Sequence, residues 1–353
     1  MRAVTYDSFA GPVTVGDVPD PTPATAGVVI EVALTGLCRS DWHGWQGHDD
    51  AITTLPHIPG HEFTGHIVEL GPDVQRWRLG DRVAVPFVCA CGTCATCETG
   101  NYQVCPDQWQ PGFHGWGSFA SLVAVPHAEA NLVRLPASIG DAAATALGCR
   151  TATAWRALAL IGRLQPGEEL VVHGAGGVGL SAVMIARALG ARTTVVDPDP
   201  RARDLAANLG AAVTIDPGSN PGSDGHSSDR DVIEAVIDAT SGGAHVSLDA
   251  IGSPTTPQTS ILGLRRRGRH VQAGLLPEGA RIPMGRVISW ELAVLGTHGL
   301  AAHDYPELLA LVEQGRIRPE ALHTRTIGLG DVPQALTAMG TPDHPAGITL
   351  IQP

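Results

Sequence analysis

Lysine is absent from this chain of 353 residues, and all 23 basic residues are arginine. This absence excludes a Schiff-base lysine, a phosphate-loop lysine and a tyrosine–lysine proton-transfer pair. Aromatic residues are few, at 4%, so the cores must consist mainly of Val, Leu, Ile and Ala. Positive charge is also in deficit: the net charge is −12, whereas proteins that bind phosphate backbones carry clustered positive surface. We therefore expect no nucleic-acid partner.

Long apolar runs are missing as well. The N-terminal segment MRAVTYDSFAG lacks the apolar core of a secretion signal, and the longest apolar stretch, 170–191, is interrupted by His173, Arg187 and several glycines. We therefore expect a cytoplasmic protein that has no membrane partner. In that compartment the seven cysteines are expected to be metal ligands or catalytic groups rather than disulfides.

The length of the chain predicts two domains, and the two parts of the sequence differ in pattern. Residues 1–150 consist of short β segments, such as 28–34, 67–70 and 82–86, separated by Gly/Pro turns. After residue 151, strands alternate with amphipathic helices, which is typical of a parallel sheet covered on both faces. The predicted fold class is α/β, with a β-rich domain and a doubly wound parallel-sheet domain.

The alternating region predicts a series of individual elements. Strands are expected over 170–172, 193–196, 212–215, 245–248, 270–273 and 292–295, and helices over 180–189, 201–209 and 231–239. Gly190 and Gly210 are expected to end the first two helices. The period of 231–239 also allows a strand, but apolar residues at i, i+4 spacing favour a helix. The Gly-, Ser-, Pro- and Asp-rich stretch 217–230 predicts a surface loop.

A glycine-rich motif follows the first of these strands and opens a helix. Its residues are Gly174, Ala175, Gly176, Gly177, Val178 and Gly179. Such glycines let backbone amides at a helix N-terminus approach a pyrophosphate, although an ordinary glycine-rich turn has the same pattern. Asp197 ends the next strand, where a carboxylate can accept hydrogen bonds from a ribose diol and repel a 2′-phosphate. Capping of the next helix is the alternative role for Asp197.

Four closely spaced cysteines predict a structural zinc site. The pattern is Cys91-x2-Cys94-x2-Cys97-x7-Cys105, and four-cysteine tetrahedral sites of short spacing are typical of structural zinc. Oxidised pairs are the alternative, which a reducing compartment disfavours. Cys89, two residues before the first of them, has no evident role.

A second set of metal-binding residue types is dispersed along the chain. It comprises Cys38-Arg39-Ser40-Asp41-Trp42-His43, Gly60-His61-Glu62 and Leu147-Gly148-Cys149-Arg150. Taken singly, each Cys or His is more often a buried core residue than a ligand. Together with the glycine-rich motif and the four-cysteine motif, however, this set of residues resembles the pattern of the zinc-containing medium-chain alcohol dehydrogenase family. The resemblance runs almost end to end and includes a return segment after about Glu291.

The resemblance implies a GroES-like zinc-binding catalytic domain, residues 1–150 with 291–353, and a Rossmann NAD-binding domain, residues 151–290. It implies two Zn²⁺ per chain and NAD, with NADP disfavoured by Asp197. Cys38, His61 and Cys149 would bind the catalytic zinc and leave a fourth position open, as catalytic zinc requires. Glu62, Cys89 and a water molecule compete with Cys149 for the third protein position.

The resemblance also implies roles for the neighbours of these ligands. Asp41 would orient His61, and Glu62 would approach the metal and help exchange its ligands. Arg39 would lie near the cofactor phosphates, and this matters because no cation is evident near Gly347, where many relatives have one. Ser40 would accept the proton of the zinc-bound alcohol, and His43 would pass it to solvent through the ribose hydroxyls. A plain surface histidine is the alternative for His43.

The expected activity is hydride transfer between a primary or secondary alcohol and NAD, giving an aldehyde or ketone. One alternative is a zinc-independent quinone or enoyl reductase of the same superfamily, which typically lacks both cysteine sets. Another is a non-catalytic zinc- and nucleotide-binding sensor, in which the Ser40/His43 pair would be needless. The resemblance implies a homodimer or homotetramer. By the same resemblance, Phe87 would line the pocket for a bulky apolar or aromatic alcohol, with Trp42, Trp45 and Trp109 nearby. The alternative is that these tryptophans pack a domain interface.

Overall fold

Short strands connected by turns occupy the first part of the chain in the computed structural model, which describes residues 1–218, 229–276, 279–341 and 345–353. The strands are β1 (Arg2–Tyr6), β2 (Val13–Asp17), β3 (Val28–Leu37), β4 (Phe63–Leu70), β5 (Arg82–Ala84), β6 (Leu122–Val125) and β7 (Val133–Arg134). The helices are α1 (Arg39–Trp45), α2 (Ala95–Glu98), α3 (Ala128–Asn131), α4 (Asp141–Ala146) and α5 (Arg150–Trp155), with a 3-10 turn at Tyr102–Val104.

Strands and helices alternate from residue 169 onward. They are β8 (Glu169–His173), α6 (Gly177–Leu189), β9 (Arg192–Val196), α7 (Pro200–Leu209), β10 (Val213–Ile215), α8 (Asp229–Ala239), β11 (Ala244–Asp249), α9 (Thr256–Leu262), β12 (Leu264–Gln272), α10 (Met284–Trp290) and β13 (Ala293–Gly296). A π-helical segment, Arg156–Ile161, precedes them. The six strands are parallel, in the order β10-β9-β8-β11-β12-β13. This is the strand order of a Rossmann fold.

The last part of the chain returns to the first sheet. Its elements are α11 (Tyr305–Glu313), β14 (His323–Gly328), α12 (Val332–Ala338) and β15 (Ile348–Gln352), with 3-10 turns at Ala302–Asp304, Pro319–Leu322 and Leu329–Asp331. β15 pairs with β3, and the sheet runs β14-β15-β3-β4-β5-β7, with β6 also on β3. By its contacts the chain divides into two units: Met1–Ala152 with Gly299–Pro353, and Thr153–His298.

The predicted fold class is confirmed, and so are the nine elements predicted in the alternating region, with small shifts at their ends. The helix predicted over 231–239 spans Asp229–Ala239, and Gly190 and Gly210 end their helices in the left-handed conformation that glycine favours. The strand predicted over 270–273 begins earlier, at Leu264, which pairs with Ala244 of β11. The arginine run that follows Leu264 lies at a register shift, which the sequence pattern does not predict. The surface loop predicted over 217–230 falls largely on 219–228, outside the described residues. Among the described residues, no helix is long and apolar enough to cross a membrane.

Candidate active site and metal centres

The four clustered cysteines converge on one point. Their sulfur-to-sulfur distances are 4.0 Å (Cys91 to Cys97), 3.5 Å (Cys94 to Cys97), 3.8 Å (Cys94 to Cys105) and 3.6 Å (Cys91 to Cys105). All four thiols are free. A tetrahedral zinc with Zn–S bonds of about 2.3 Å separates its sulfurs by about 3.8 Å. The four sulfurs therefore fit a zinc ion without rearrangement, and their separations exclude disulfide bonds.

The segment that carries these cysteines is closed at its base and tied to the rest of the unit. Cys89 and Trp109 exchange two backbone hydrogen bonds of 2.8 Å. The amide side chain of Asn131 accepts from Ala90 N at 2.7 Å and donates to Ala90 O at 2.9 Å. The Cys89 sulfur, in contrast, lies in the hydrophobic core between the sheet strands, and burial raises its pKa. Cys89 is therefore a packed thiol outside the four-cysteine cluster.

Cys38, His61 and Cys149 form the second cluster, with their ligand atoms all within 4.8 Å of one another and all three residues buried. Register explains how such distant residues meet. β3 and β4 pair antiparallel, with Thr35 opposite Phe63, so the end of β3 lies beside the start of β4. Cys38 directly follows β3 and His61 shortly precedes β4.

The pKa of Cys38 is lowered well below its ordinary value. The largest cause is a hydrogen bond with Cys149; the Arg150 charge adds to this effect, and burial opposes it.

Asp41 holds the first two ligands together through three hydrogen bonds. Its carboxylate accepts from His61 Nδ1 at 2.8 Å, from Cys38 N at 2.9 Å and from Gly60 N at 3.1 Å. Because Nδ1 donates to Asp41, Nε2 is the His61 nitrogen that remains as a ligand. Gly60 has φ +105°, and an added Cβ would collide with Phe119 and Ser118, so glycine is required before His61.

Glu62 and Arg150 form a buried ion pair beside the ligands. The guanidinium Nη1 of Arg150 lies 2.7 Å from Glu62 Oε2, with side chains 5% and 0% exposed. The backbone N–H of Arg150 also donates to Glu62 Oε1 at 3.0 Å, and its Nη2 donates to the Leu37 carbonyl. The sequence shows an arginine after Cys149, but spacing alone does not predict its partners.

Helix α1 begins directly after Cys38 and carries the residues predicted to move a proton. Ser40 and His43 are three positions apart and therefore share a face of the helix. His43 Nδ1 lies 3.0 Å from Nδ1 of His48, an exposed residue to which the sequence analysis gives no role. The Arg39 guanidinium lies 4.5 Å from the centre of the Trp42 ring and donates to the Met339 carbonyl.

The glycine-rich motif has the geometry of a tight strand-to-helix turn. Gly174 has φ +95°, Gly176 is the residue before helix α6, and a Cβ on Gly179 would overlap the Gly174 carbonyl. Gly177 and Val178 form the first turn of that helix, and a Cβ on Gly176 would meet only open space. The loop therefore presents accessible backbone at a helix N-terminus, as phosphate binding requires.

Asp197 lies at this loop rather than at a helix cap. Its carboxylate accepts from Ala175 N at 2.7 Å and from Asp199 N at 2.8 Å, and Asp199 is the residue that caps helix α7. Two arginines follow closely, and both are paired: Arg201 lies 2.9 Å from Asp199, and Arg203 lies 3.1 Å from Asp216.

The aromatic residues considered for a substrate pocket divide into two groups. The Phe87 ring centre lies 6.1 Å from that of His61, and Phe113, which the sequence analysis does not single out, lies 5.3 Å from it. Trp45 is buried with Tyr6 in one core cluster, and Trp109 packs against another. Phe87 and Phe113 are therefore the aromatic side chains nearest the second cluster among these.

Comparison with known proteins gives consistent matches over the whole chain. Residues 24–137 match the alcohol dehydrogenase GroES-like domain, and residues 177–314 match the zinc-binding dehydrogenase domain. An alcohol dehydrogenase of Rhizobium meliloti (strain 1021) is 31% identical over 319 residues, which cover 90% of this chain and 89% of that protein.

Two solved structures share the fold over the full length. An alcohol dehydrogenase from Thermus sp. ATN1 has a TM-score of 0.87 at 29% identity and covers 100% of this chain and 99% of its own. A cobalt- and zinc-bound thermostable alcohol dehydrogenase from Pyrobaculum aerophilum has a TM-score of 0.83 at 28% identity, with coverage of 100% and 99%. The protein is an alcohol oxidoreductase with a GroES-like and a Rossmann-type fold. This chain therefore belongs to the zinc-containing medium-chain alcohol dehydrogenase family.

Proposed function

We propose that this protein is a zinc-dependent, NAD-linked dehydrogenase of primary or secondary alcohols, giving aldehydes or ketones. The observation that carries the proposal is the convergence of Cys38, His61 and Cys149, with ligand atoms within 4.8 Å, at the start of the helix that bears Ser40 and His43. Two sulfurs and one imidazole nitrogen match the donor set of a catalytic zinc. A bound zinc would supply a Lewis acid for the substrate oxygen at its open position.

The remaining chemistry belongs to side chains of this protein. Ser40 accepts the proton of the substrate hydroxyl and passes it to His43. Burial lowers the pKa of His43, the charges of Arg39 and His48 add to this, and the Cys38 charge opposes it. His43 is therefore neutral at neutral pH and ready to accept the proton. His48 lies on the outward side of that imidazole, next to solvent.

The four-cysteine cluster, Cys91 with Cys94, Cys97 and Cys105, would hold a structural zinc. Four thiolates complete a tetrahedron and leave no position for a substrate. Without a metal, the Thr93 N–H lowers the pKa of Cys91 to about 6, whereas burial raises the pKa of Cys97 to about 12. A bound zinc would stabilise all four thiolates.

The cofactor preference follows from the surroundings of Asp197. Its carboxylate faces the glycine-rich turn, where it would repel a 2′-phosphate, and the largely buried Arg203 is engaged by Asp216. NAD is therefore preferred over NADP. Asp197→Ala should lower kcat/KM for NAD by about tenfold to a hundredfold, since hydrogen bonds to a charged group contribute about 1.5–3 kcal/mol. The value for NADP should change far less. A wild-type kcat/KM for NADP at or above that for NAD would contradict the assignment.

The proposal is tested by incubating the zinc-loaded enzyme with NAD and a panel of primary, secondary, aromatic and polyol alcohols while following the formation of reduced nicotinamide. Turnover of at least one class, lost when zinc is chelated, is expected. Turnover of a quinone or enoyl substrate that survives zinc removal would favour the zinc-independent reductase instead. Binding of NAD without turnover of any alcohol would favour the non-catalytic sensor.

The domain roles and the assembly are part of the same proposal. The unit Met1–Ala152 with Gly299–Pro353 would be the zinc-binding catalytic domain, and the unit Thr153–His298 the NAD-binding domain. The predicted return at 291 moves to 299, because β13 pairs with β12 in the parallel sheet. The protein would act in the cytoplasm as a homodimer or homotetramer. Sedimentation of the purified protein would decide between the two assemblies, and a monomer at working concentration would contradict both.

A further inference from the structure

Arg150 touches the segments that carry all three residues of the Cys38/His61/Cys149 cluster. Its own backbone follows Cys149, its side chain reaches Glu62, which follows His61, and it also donates to the carbonyl of Leu37, which precedes Cys38. These contacts lie one residue away from the metal-binding side chains, and the guanidinium also hydrogen-bonds to the Cys38 side chain. A single arginine thus bridges three stretches of chain that are far apart in sequence.

The charges around the proposed metal site explain why an arginine is needed at position 150. With zinc bound, the metal would balance the two thiolates, and two buried carboxylates would remain. Asp41 accepts three hydrogen bonds, whereas the fully buried Glu62 needs a positive partner. A buried charge without a partner is strongly destabilising. Arg150 supplies that positive charge, since its guanidinium lies 2.7 Å from the Glu62 carboxylate.

Glu62 is also confined from the other sides. Its carbonyl accepts from Gly36 N at 2.7 Å and from Thr35 Oγ1 at 3.1 Å. A Cβ on Gly36 would overlap Glu62 Oε2, so the carboxylate fills the space that this glycine leaves. A carboxylate oxygen is an acceptable zinc ligand. The packing against Gly36 and the hydrogen bond from the Arg150 N–H hold the Glu62 carboxylate toward Arg150.

We infer that Arg150 is a positioning residue that holds Glu62 in a buried ion pair and away from the metal, so that the Cys38/His61/Cys149 site keeps three protein ligands and one open position. This inference rests on the proposed function, because it assumes that the cluster binds zinc. Without Arg150, the Glu62 carboxylate would lose its partner and would turn to the metal as a fourth protein ligand.

The test exchanges Co²⁺ into the catalytic site of the full-length protein and records its absorption spectrum, which reports the number and type of ligands. Arg150→Met should shift this spectrum to that of a site with an additional oxygen ligand. It should lower turnover by about tenfold to a hundredfold, which is the usual effect of losing a residue that supports the metal ligands. Arg150→Met combined with Glu62→Gln should return the spectrum toward that of the wild type. Arg150→Lys should give a partial rescue, because lysine keeps the charge but cannot bridge Glu62 and Leu37 at once.

The matched control is Arg82→Met, which breaks another arginine–carboxylate pair of the same unit, that with Asp141. It should leave the Co²⁺ spectrum unchanged. An unaltered spectrum in Arg150→Met, or a shift that Glu62→Gln does not reverse, would overturn the inference. If Arg150→Met does not fold, the variant that combines it with Glu62→Gln decides. Removal of both charges should restore folding and a wild-type spectrum, and a failure to do so would refute the inference. A wild-type protein that binds no catalytic metal and oxidises no alcohol would instead refute the proposed function.

Discussion

The two cysteine-containing clusters of the same unit are built in opposite ways. The four-cysteine cluster lies within one segment, its sulfurs are partly exposed in two of four residues, and its support is mostly local backbone. The Cys38/His61/Cys149 cluster draws on three distant segments, is wholly buried, and is supported by charged side chains, Asp41 and the Glu62–Arg150 pair. Under the proposed function, one cluster would complete a tetrahedron around a structural zinc, and the other would leave a position for chemistry.

This difference shows which interactions hold the ligands of each cluster in place. A local cluster needs only a closed loop, so the metal itself can shape it. A dispersed cluster depends on strand register and on buried charges that must balance before any metal arrives. Variants at the two sites should therefore fail in different ways.

The largest effect is expected from Cys149→Ala. We predict that it loses one of two zincs per chain and nearly all turnover, because the catalytic site would keep only two protein ligands. Binding of NAD should persist, since it depends on Gly174 to Gly179 and Asp197. Metal analysis, alcohol oxidation and NAD titration together check this. A variant that keeps two zincs and substantial activity would show that Cys149 is only a buried core residue.

Ser40→Ala sharpens the comparison within the catalytic cluster, because it removes a proton acceptor and no ligand. We predict normal folding, two zincs and a fall in kcat of about 10² to 10⁴, the range for loss of general acid–base catalysis. The matched control is Ser138→Ala, which removes an exposed hydroxyl bonded to Glu313. Its kcat should equal that of the wild type. Equal kcat values for both variants would place the proton path elsewhere.

Asp41→Asn probes the carboxylate that joins Cys38 and His61. The asparagine keeps the shape but loses the charge, so we predict a loss of about tenfold to a hundredfold in metal affinity or activity. Competition with a chelator measures the affinity. Asp141→Asn removes a comparable carboxylate, paired with Arg82, and should bind zinc like the wild type. An Asp41→Asn variant with unchanged zinc affinity would mean that His61 needs no charged partner.

Cys97→Ser should have the smallest effect on chemistry and the clearest effect on stability. We predict a lower Tm and loss of the structural zinc, with each kcal/mol of lost stability lowering Tm by about 2–4 °C. The kcat of molecules that remain folded should stay close to that of the wild type. Cys89→Ser, a neighbouring buried thiol outside the cluster, should keep both zincs. Wild-type Tm and full metal content in Cys97→Ser would contradict the structural assignment.

The same contrast governs what could be predicted from the sequence. The short spacing of the cysteines is enough to indicate the four-cysteine cluster. Apolar periodicity, with a glycine after the last helical residue, predicts the bounds of helices such as Gly177–Leu189 and Pro200–Leu209 within a few residues. The dispersed cluster is predicted only through resemblance, because no spacing rule links Cys38 to Cys149. The Arg150–Glu62 pair is not predicted, because it depends on how distant segments are placed by the register of β3 and β4. The His43–His48 contact is not predicted either, because it depends on side-chain directions at the end of α1. The roles of all these residues stay predictions.

Stepwise removal of zinc tests the division of labour most directly. A chelator of graded strength is added to the purified enzyme while zinc per chain, Tm and NAD-dependent alcohol oxidation are measured on the same samples. We predict that activity disappears as zinc falls from two per chain to one, because the open position of the Cys38/His61/Cys149 site admits the chelator first. Tm should change little until the second zinc leaves. Added Zn²⁺ should restore turnover. Activity that survives the loss of both zincs, or that falls only with the second, would contradict the assignment of chemistry to that site.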